Sequence, residues 1–195
     1  MSKSDPDLSR KHKRKTALWV LTIFLVTIVV SAVISLISEE AMAGSGMLSA
    51  FVILFAIVLL GILFDIIGVA VTSADEAPFH AMAARKVPGA KEAIRLLRKA
   101  DKVSSICNDV IGDICGVVSG SAAATIAALL LQTFTFSWDR LASLMMSAMV
   151  AGVTVGGKAL GKSFAVNSST TIVHAVGKTI WWLGNLPHLF RRKKK

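Results

Sequence analysis

The chain has 195 residues, of which 54% are hydrophobic and 17% charged, with a formal net charge of +10. A soluble domain carries about 25% charged residues, and the mean hydropathy here is +0.66. That balance excludes an ordinary soluble domain and predicts one compact, all-α membrane protein.

In chain order, residues 1–16 form a basic tail holding Lys3, Arg10, Lys11, Lys13, Arg14 and Lys15. Residues 17–38 carry no charge and are long enough to span a bilayer, which takes about 20 apolar residues. Ala41-Met42-Ala43 resembles a leader cleavage site. The apolar run nevertheless exceeds the roughly 7–15 residues of a leader, and Glu39-Glu40 separate run from site. A retained anchor is therefore favoured over a cleaved one. A second span runs from Met47 to Thr72, interrupted by Asp65.

Residues 76–101 predict two short juxtamembrane helices, broken at Pro88-Gly89. The first covers Ala81 to Lys86. The second covers Ala90 to Ala100, with Ala93, Ile94 and Leu97 on one face and Lys91, Arg95, Arg98 and Lys99 around the rest. Such helices suit a membrane surface; a solvated basic hairpin is the alternative. The third span covers Val103 to Leu131, polar in its first half. The fourth covers Leu141 to Gly157, with room to continue through Lys158. Residues 164–186 predict a further amphipathic helix, with Ile172, Val173, Val176, Ile180, Trp181 and Leu183 on one face and Trp181-Trp182 at head-group level. Pro187 is expected to stop it. Residues 187–195 form a second basic tail, either a lipid anchor or solvated.

Of the 22 Lys and Arg, 21 fall on one side of this four-span topology, Arg140 being the exception. The positive-inside rule makes that side the cytoplasm, with both termini in it, in a cell (inner) membrane. The positive charge then implies anionic lipid rather than nucleic acid as partner.

Cys107 and Cys115 are eight apart on one helix, about 12 Å of rise, which is too far for a disulfide. They read as small packing residues. The four histidines form no ligand pattern. No phosphate loop, nucleophile motif or catalytic carboxylate pair is present, so the chain is not expected to be an enzyme.

The chemistry concentrates on the third span. Asp109 and Asp113 are four apart and share a helix face, which Ser105 extends. Gly112, Gly116 and Gly120 form a ladder of small residues that predicts close helix packing. Ser73 and Asp75 end the second span. Gly156-Gly157 can loosen the fourth helix and release carbonyls, and Lys158 follows. Acids in a membrane helix mark an ion path or a buried polar contact. Two readings stand at this point. Carboxylate, amide and hydroxyl oxygens suit a hard cation such as Mg²⁺. Alternatively, an Asp109–Lys158 or Asp113–Lys158 pair neutralises a buried charge and fixes packing.

Three blocks resemble the transmembrane domain of CorB/CorC-type magnesium transporters, related to the cyclin-M (CNNM) proteins. Thr72-Ser73-Ala74-Asp75-Glu76 resembles the family's Ser-x-Ser-Glu block. Ile106-Cys107-Asn108-Asp109-Val110-Ile111 resembles its Gly-Asn-Asn-Leu-Val block. Gly157-Lys158-Ala159-Leu160-Gly161-Lys162-Ser163-Phe164-Ala165 resembles its Gly-Glu-x-x-Pro-Lys-Ser-x-Ala block. The likeness runs from about Leu48 to Leu183, inside a domain at 47–183, and makes residues 17–38 an extra helix beside a three-helix core.

The resemblance implies a homodimer that transports Mg²⁺ (or Co²⁺), with Na⁺ as the coupling ion. Ser73 and Asn108 match ion-site positions, Asp109 replaces the second Asn, and Gly157 falls where backbone carbonyls contribute. Asp113 would tune the site. Lys158 stands where the family has an acid, as a counter-charge, and Gly161 where it has proline. The family's nucleotide-sensing CBS domains are absent from these residues, so a separate regulatory protein is an expected partner. A membrane scaffold whose ion site Lys158 neutralises is the second expectation.

Overall fold

The computed structural model describes residues 6–43, 46–133 and 139–192. Residues 1–5, 44–45, 134–138 and 193–195 lie outside the described residues. Among those described, every regular element is helical. Four helices are long and apolar enough to cross a membrane: Ala17–Ala41, Met47–Ser73, Ala100–Leu130 and Leu144–Asn167.

Helix α1 (Pro6–Ala43) passes from the basic segment into the first span without a break. Residues 6–16 are thus the first turns of the span helix, because Lys and Arg propagate a helix well and nothing between Lys11 and Ala17 breaks one. Leu18, Phe24, Leu25 and Val29 are exposed. The packed stripe is Ile23, Val30 and Ile34, laid on Val110, Ile114 and Val118. The helix is held along one narrow seam, and the rest of its apolar surface requires lipid.

Helix α2 (Met47–Ser73) is the hub. Ala50, Leu54, Val58, Gly61 and Gly68 are buried and recur at the three- and four-residue steps of one helical face. Ala50, Leu54 and Val58 pack with Ala122, Ala123 and Ile126 of the third span. At its other end, Ala70 and Val71 join a second core with Phe79, Ala93, Ala165 and Val173.

That second core settles the form of residues 76–101. Helix α3 (Ala77–Ala84) begins earlier than the sequence reading placed it, with Pro78 in its first turn, where a missing N–H costs nothing. Helix α4 (Ala90–Leu97) follows a turn in which Lys86 has φ 57° and Gly89 has φ 85°. Ala93 is fully buried, and Ile94 and Leu97 pack on the same cluster. The pair is docked on the core and is not a solvated hairpin. The helix expected through Ala100 ends at Leu97, because Lys99 leaves helical conformation (φ −122°, ψ 27°) and redirects the chain into the third span.

The third span is a rod of three parts: α5 (Ala100–Ser105), a π-helical stretch Ile106–Gly112, and α6 (Asp113–Thr133). Helix α7 (Asp139–Asn167) extends well beyond the Gly157 boundary expected for the fourth span. It runs unbroken through Gly156-Gly157, which therefore do not loosen it. A β-carbon on Gly157 would collide with Ile62, and one on Gly161 would lie 2.8 Å from Ile66. Ala165, one turn further, is fully buried. The stripe facing α2 thus continues for two turns past Gly157, and the helix continues with it.

Helix α8 (Ser169–Arg192) begins later than 164 and runs past Pro187. Proline removes one donor, the one owed to the carbonyl four residues back. That residue is Leu183, which is exposed, so the stop expected at Pro187 is not enforced.

The close-packing ladder also differs from expectation. Added β-carbons on Gly116 and Gly120 would meet nothing within 4 Å; the tight seam is Gly157-Gly161-Ala165 on α7. Gly116→Ala and Gly120→Ala are expected to be neutral or to stabilise an isolated chain by up to about 1 kcal/mol each, through backbone entropy. Thermal denaturation in detergent checks this. Destabilisation would mean that another chain packs on that face.

Candidate functional site

The π-helical stretch carries Asn108 and Asp109, with Ser104 and Ser105 just before it in α5 and Asp113 just after it at the start of α6. A π-turn bonds residue i to i+5, misaligns the carbonyls around it, and tends to be kept where function uses it. Asn108 lies inside it, facing α2. Its Nδ2 donates to Ser104 Oγ at 3.1 Å. Its Oδ1 is buried with no hydrogen-bond partner. Gly68 makes this position possible, since a β-carbon there would overlap the Asn108 carboxamide. A buried carbonyl oxygen without a donor costs about 1–3 kcal/mol. A water or a cation supplied to it would recover that.

Asp109 is exposed and accepts a hydrogen bond from Ser105 Oγ at 2.8 Å, as their shared face predicts. Asp113 is 73% exposed by side chain, and Lys158 Nζ approaches its Oδ1 to 4.0 Å. The same ammonium donates to the Gly112 carbonyl at 3.4 Å. Of the two pairings open from sequence, the structure makes the Asp113–Lys158 one. At that distance and exposure it is a weak bridge, worth at most about 1 kcal/mol.

Asn108, Asp109 and Asp113 are thus brought onto one stretch, with Lys158 and Ser105 beside them. Ser73 shares no hydrogen bond with them among the described residues. It is exposed at the end of α2, about 7–8 Å of helical rise beyond Gly68, and makes no side-chain hydrogen bond. Gly157 packs on Ile62, and its place within a continuous helix leaves it no freed carbonyl of the kind its neighbour glycine suggested.

A cleft of about 270 Å³ opens between α6 and α7, with Lys158 at its lining together with Gly116, Ser119, Gly120, Ser147 and Thr154. Ser119 is buried and donates to the Gly116 carbonyl at 3.0 Å. Thr154 donates to the Val150 carbonyl at 2.7 Å. The recess is lined mainly by apolar surface, Val150, Ala151 and Val155 included, with the hydroxyls and Lys158 as its polar part. Its Gly116 and Gly120 were read as packing residues; they instead leave the recess open.

Among the described residues no three His, Cys, Asp or Glu side chains converge as a metal cage. The donor set is one orphaned amide oxygen and two exposed carboxylates. That set suits a hydrated hard cation held partly through its own water, as Mg²⁺ prefers, better than a dehydrated ion. Sequence reasoning missed Gly68 as the residue that seats Asn108. A glycine at α2's buried face opposite a polar stretch was the available signal. It also missed the π-turn, which no residue pattern announces. Neither a protein-family model nor any curated protein matches the chain.

Proposed function

We propose that the chain binds and moves a divalent cation, Mg²⁺ foremost, across a cell membrane, by a transmembrane domain of CorB/CorC type. The observation that carries this reading is the buried, unpartnered Asn108 Oδ1 on a π-helical turn. One carboxylate, Asp109, lies on that turn, and a second, Asp113, opens α6 directly after it. Carboxylates exposed on a membrane-spanning helix demand water or a second protein surface. A water-filled, cytoplasm-facing cavity, completed by a homodimer, would satisfy them. Na⁺ exchange would supply the driving force. Both termini would be cytoplasmic, where a separate regulatory protein could act. No enzymatic chemistry is proposed.

A second reading rests on Lys158. Its ammonium contacts the Gly112 carbonyl and Asp113, the acceptors a passing cation would use. In that reading Lys158 is a tethered counter-ion, and the protein is a scaffold or regulator rather than a transporter.

Mg²⁺ flux into proteoliposomes of the purified full chain separates the two. Flux that Asp109→Ala and Asn108→Ala each reduce at least tenfold supports transport. A silent wild type in which Lys158→Glu creates Mg²⁺ binding supports the scaffold. Flux unaffected by either alanine variant would remove the third span from the path and sink the first reading.

A further inference from the structure

The α3–α4 turn and α8 enclose a second cavity, of about 310 Å³, that the cation reading does not use. We propose that it binds the phosphate of an acidic phospholipid headgroup.

The walls are fixed rather than loose. Lys86 and Gly89 both take positive φ, so the chain reverses within the span from Ala84 to Ala90. Gly89 then abuts the backbone of Gly177 and Lys178: a β-carbon on Gly89 would collide with Lys178 N, and one on Gly177 would lie 2.9 Å from Ala93 N. The His174 ring Nε2 lies 3.2 Å from the Pro88 carbonyl oxygen, within hydrogen-bond distance. The turn is thereby held to α8 by backbone contact on one side and an imidazole on the other.

The lining has a definite chemistry. Lys86, Lys91, Glu92 and Trp181 supply its side chains, and Val87-Pro88-Gly89 its backbone. Lys86 and Lys91 are exposed, and neither is in an ion pair among the described residues. Two ammonium groups and one carboxylate make the lining net positive. That balance fits a phosphate, with Glu92 left to accept from a headgroup hydroxyl such as that of a glycerol.

The setting favours lipid over a free anion. Trp181 is 39% exposed, and its neighbours Ile180, Trp182 and Leu183 are exposed as well. An indole half in apolar surroundings and half wet is the side chain that settles at head-group level. The apolar edge of α8 therefore brings the cavity to the height at which lipid phosphates lie, on the side carrying nearly all the basic residues.

Native mass spectrometry of the full chain, titrated with phosphatidylglycerol and phosphatidylcholine, tests the site. The wild type is expected to retain phosphatidylglycerol about tenfold more strongly. The double variant Lys86→Gln with Lys91→Gln should lose that preference. The charge-matched variant Lys99→Gln with Lys102→Gln, outside the cavity, should keep it within about twofold. Trp181→Ala should weaken retention without altering net charge. Three results would overturn the proposal: an undiminished preference in the cavity variant, an equal loss in the control variant, or displacement of the lipid by millimolar inorganic phosphate.

Discussion

Gly89→Ala is expected to destabilise the folded chain by about 2–4 kcal/mol. Two costs combine. Gly89 has φ 85°, a conformation that strains any residue with a β-carbon, and an alanine methyl would collide with the backbone of Lys178. Crowding of a packed contact adds about 1–3 kcal/mol, and backbone cannot swing aside as a side chain can. The apparent midpoint of thermal denaturation in detergent measures the loss. Gly184→Ala, with open space around it inside α8, is the control and should leave the midpoint unchanged or raise it slightly. Gly89→Asn separates the two costs, because asparagine tolerates positive φ but keeps the collision. If Gly89→Asn matches wild type, crowding contributes nothing and the α4–α8 contact is looser than described. Gly177→Ala should reproduce much of the loss, and the double variant should lose less than the sum, since both act on one contact.

Gly68→Ala is expected to reduce Mg²⁺ flux at least tenfold while lowering stability by only about 1–3 kcal/mol. The added methyl would take the space of the Asn108 carboxamide. Asn108 would have to change rotamer and give up its bond to Ser104, moving the one unpartnered oxygen of the site. Gly61→Ala provides a matched control. It crowds the same interface between α2 and the third span, 2.9 Å from Cys115 Cβ, about two turns from Asn108. Comparable destabilisation with flux kept in Gly61→Ala and lost in Gly68→Ala would tie function to Asn108. Equal loss of flux in both would mean that the interface as a whole matters and the amide has no special part.

The two variants expose a common device. Glycine on one helix lets a specific group on its neighbour come close: a polar amide at Gly68, Ile62 at Gly157, backbone at Gly89. At Gly116 and Gly120 no neighbour arrives. In the sequence Gly68, Gly157, Gly116 and Gly120 look alike, as glycines at intervals in apolar helices, and only Gly89 is set apart by the proline before it. Only the rotation of each helix about its axis tells a packed glycine from an open one. That rotation depends on contacts from residues far away in the chain.

What the sequence determined by itself was the all-helical class and the presence of four candidate membrane spans. Apolar runs of bilayer length are local properties, summed along the chain, and the first three spans fall close to where those sums put them, while the fourth runs on to Asn167. The break at Pro88-Gly89 and the buried face of Ala93, Ile94 and Leu97 were legible for the same reason. The tertiary structure decided the rest. It carried α7 past Gly157, because the stripe of Gly157, Gly161 and Ala165 goes on meeting α2. It paired Lys158 with Asp113 rather than Asp109, seated Asn108 against Gly68, and set a π-turn in the run Ile106–Gly112. Each of those outcomes turns on a few ångströms between side chains of different helices, a quantity that helical periodicity does not contain.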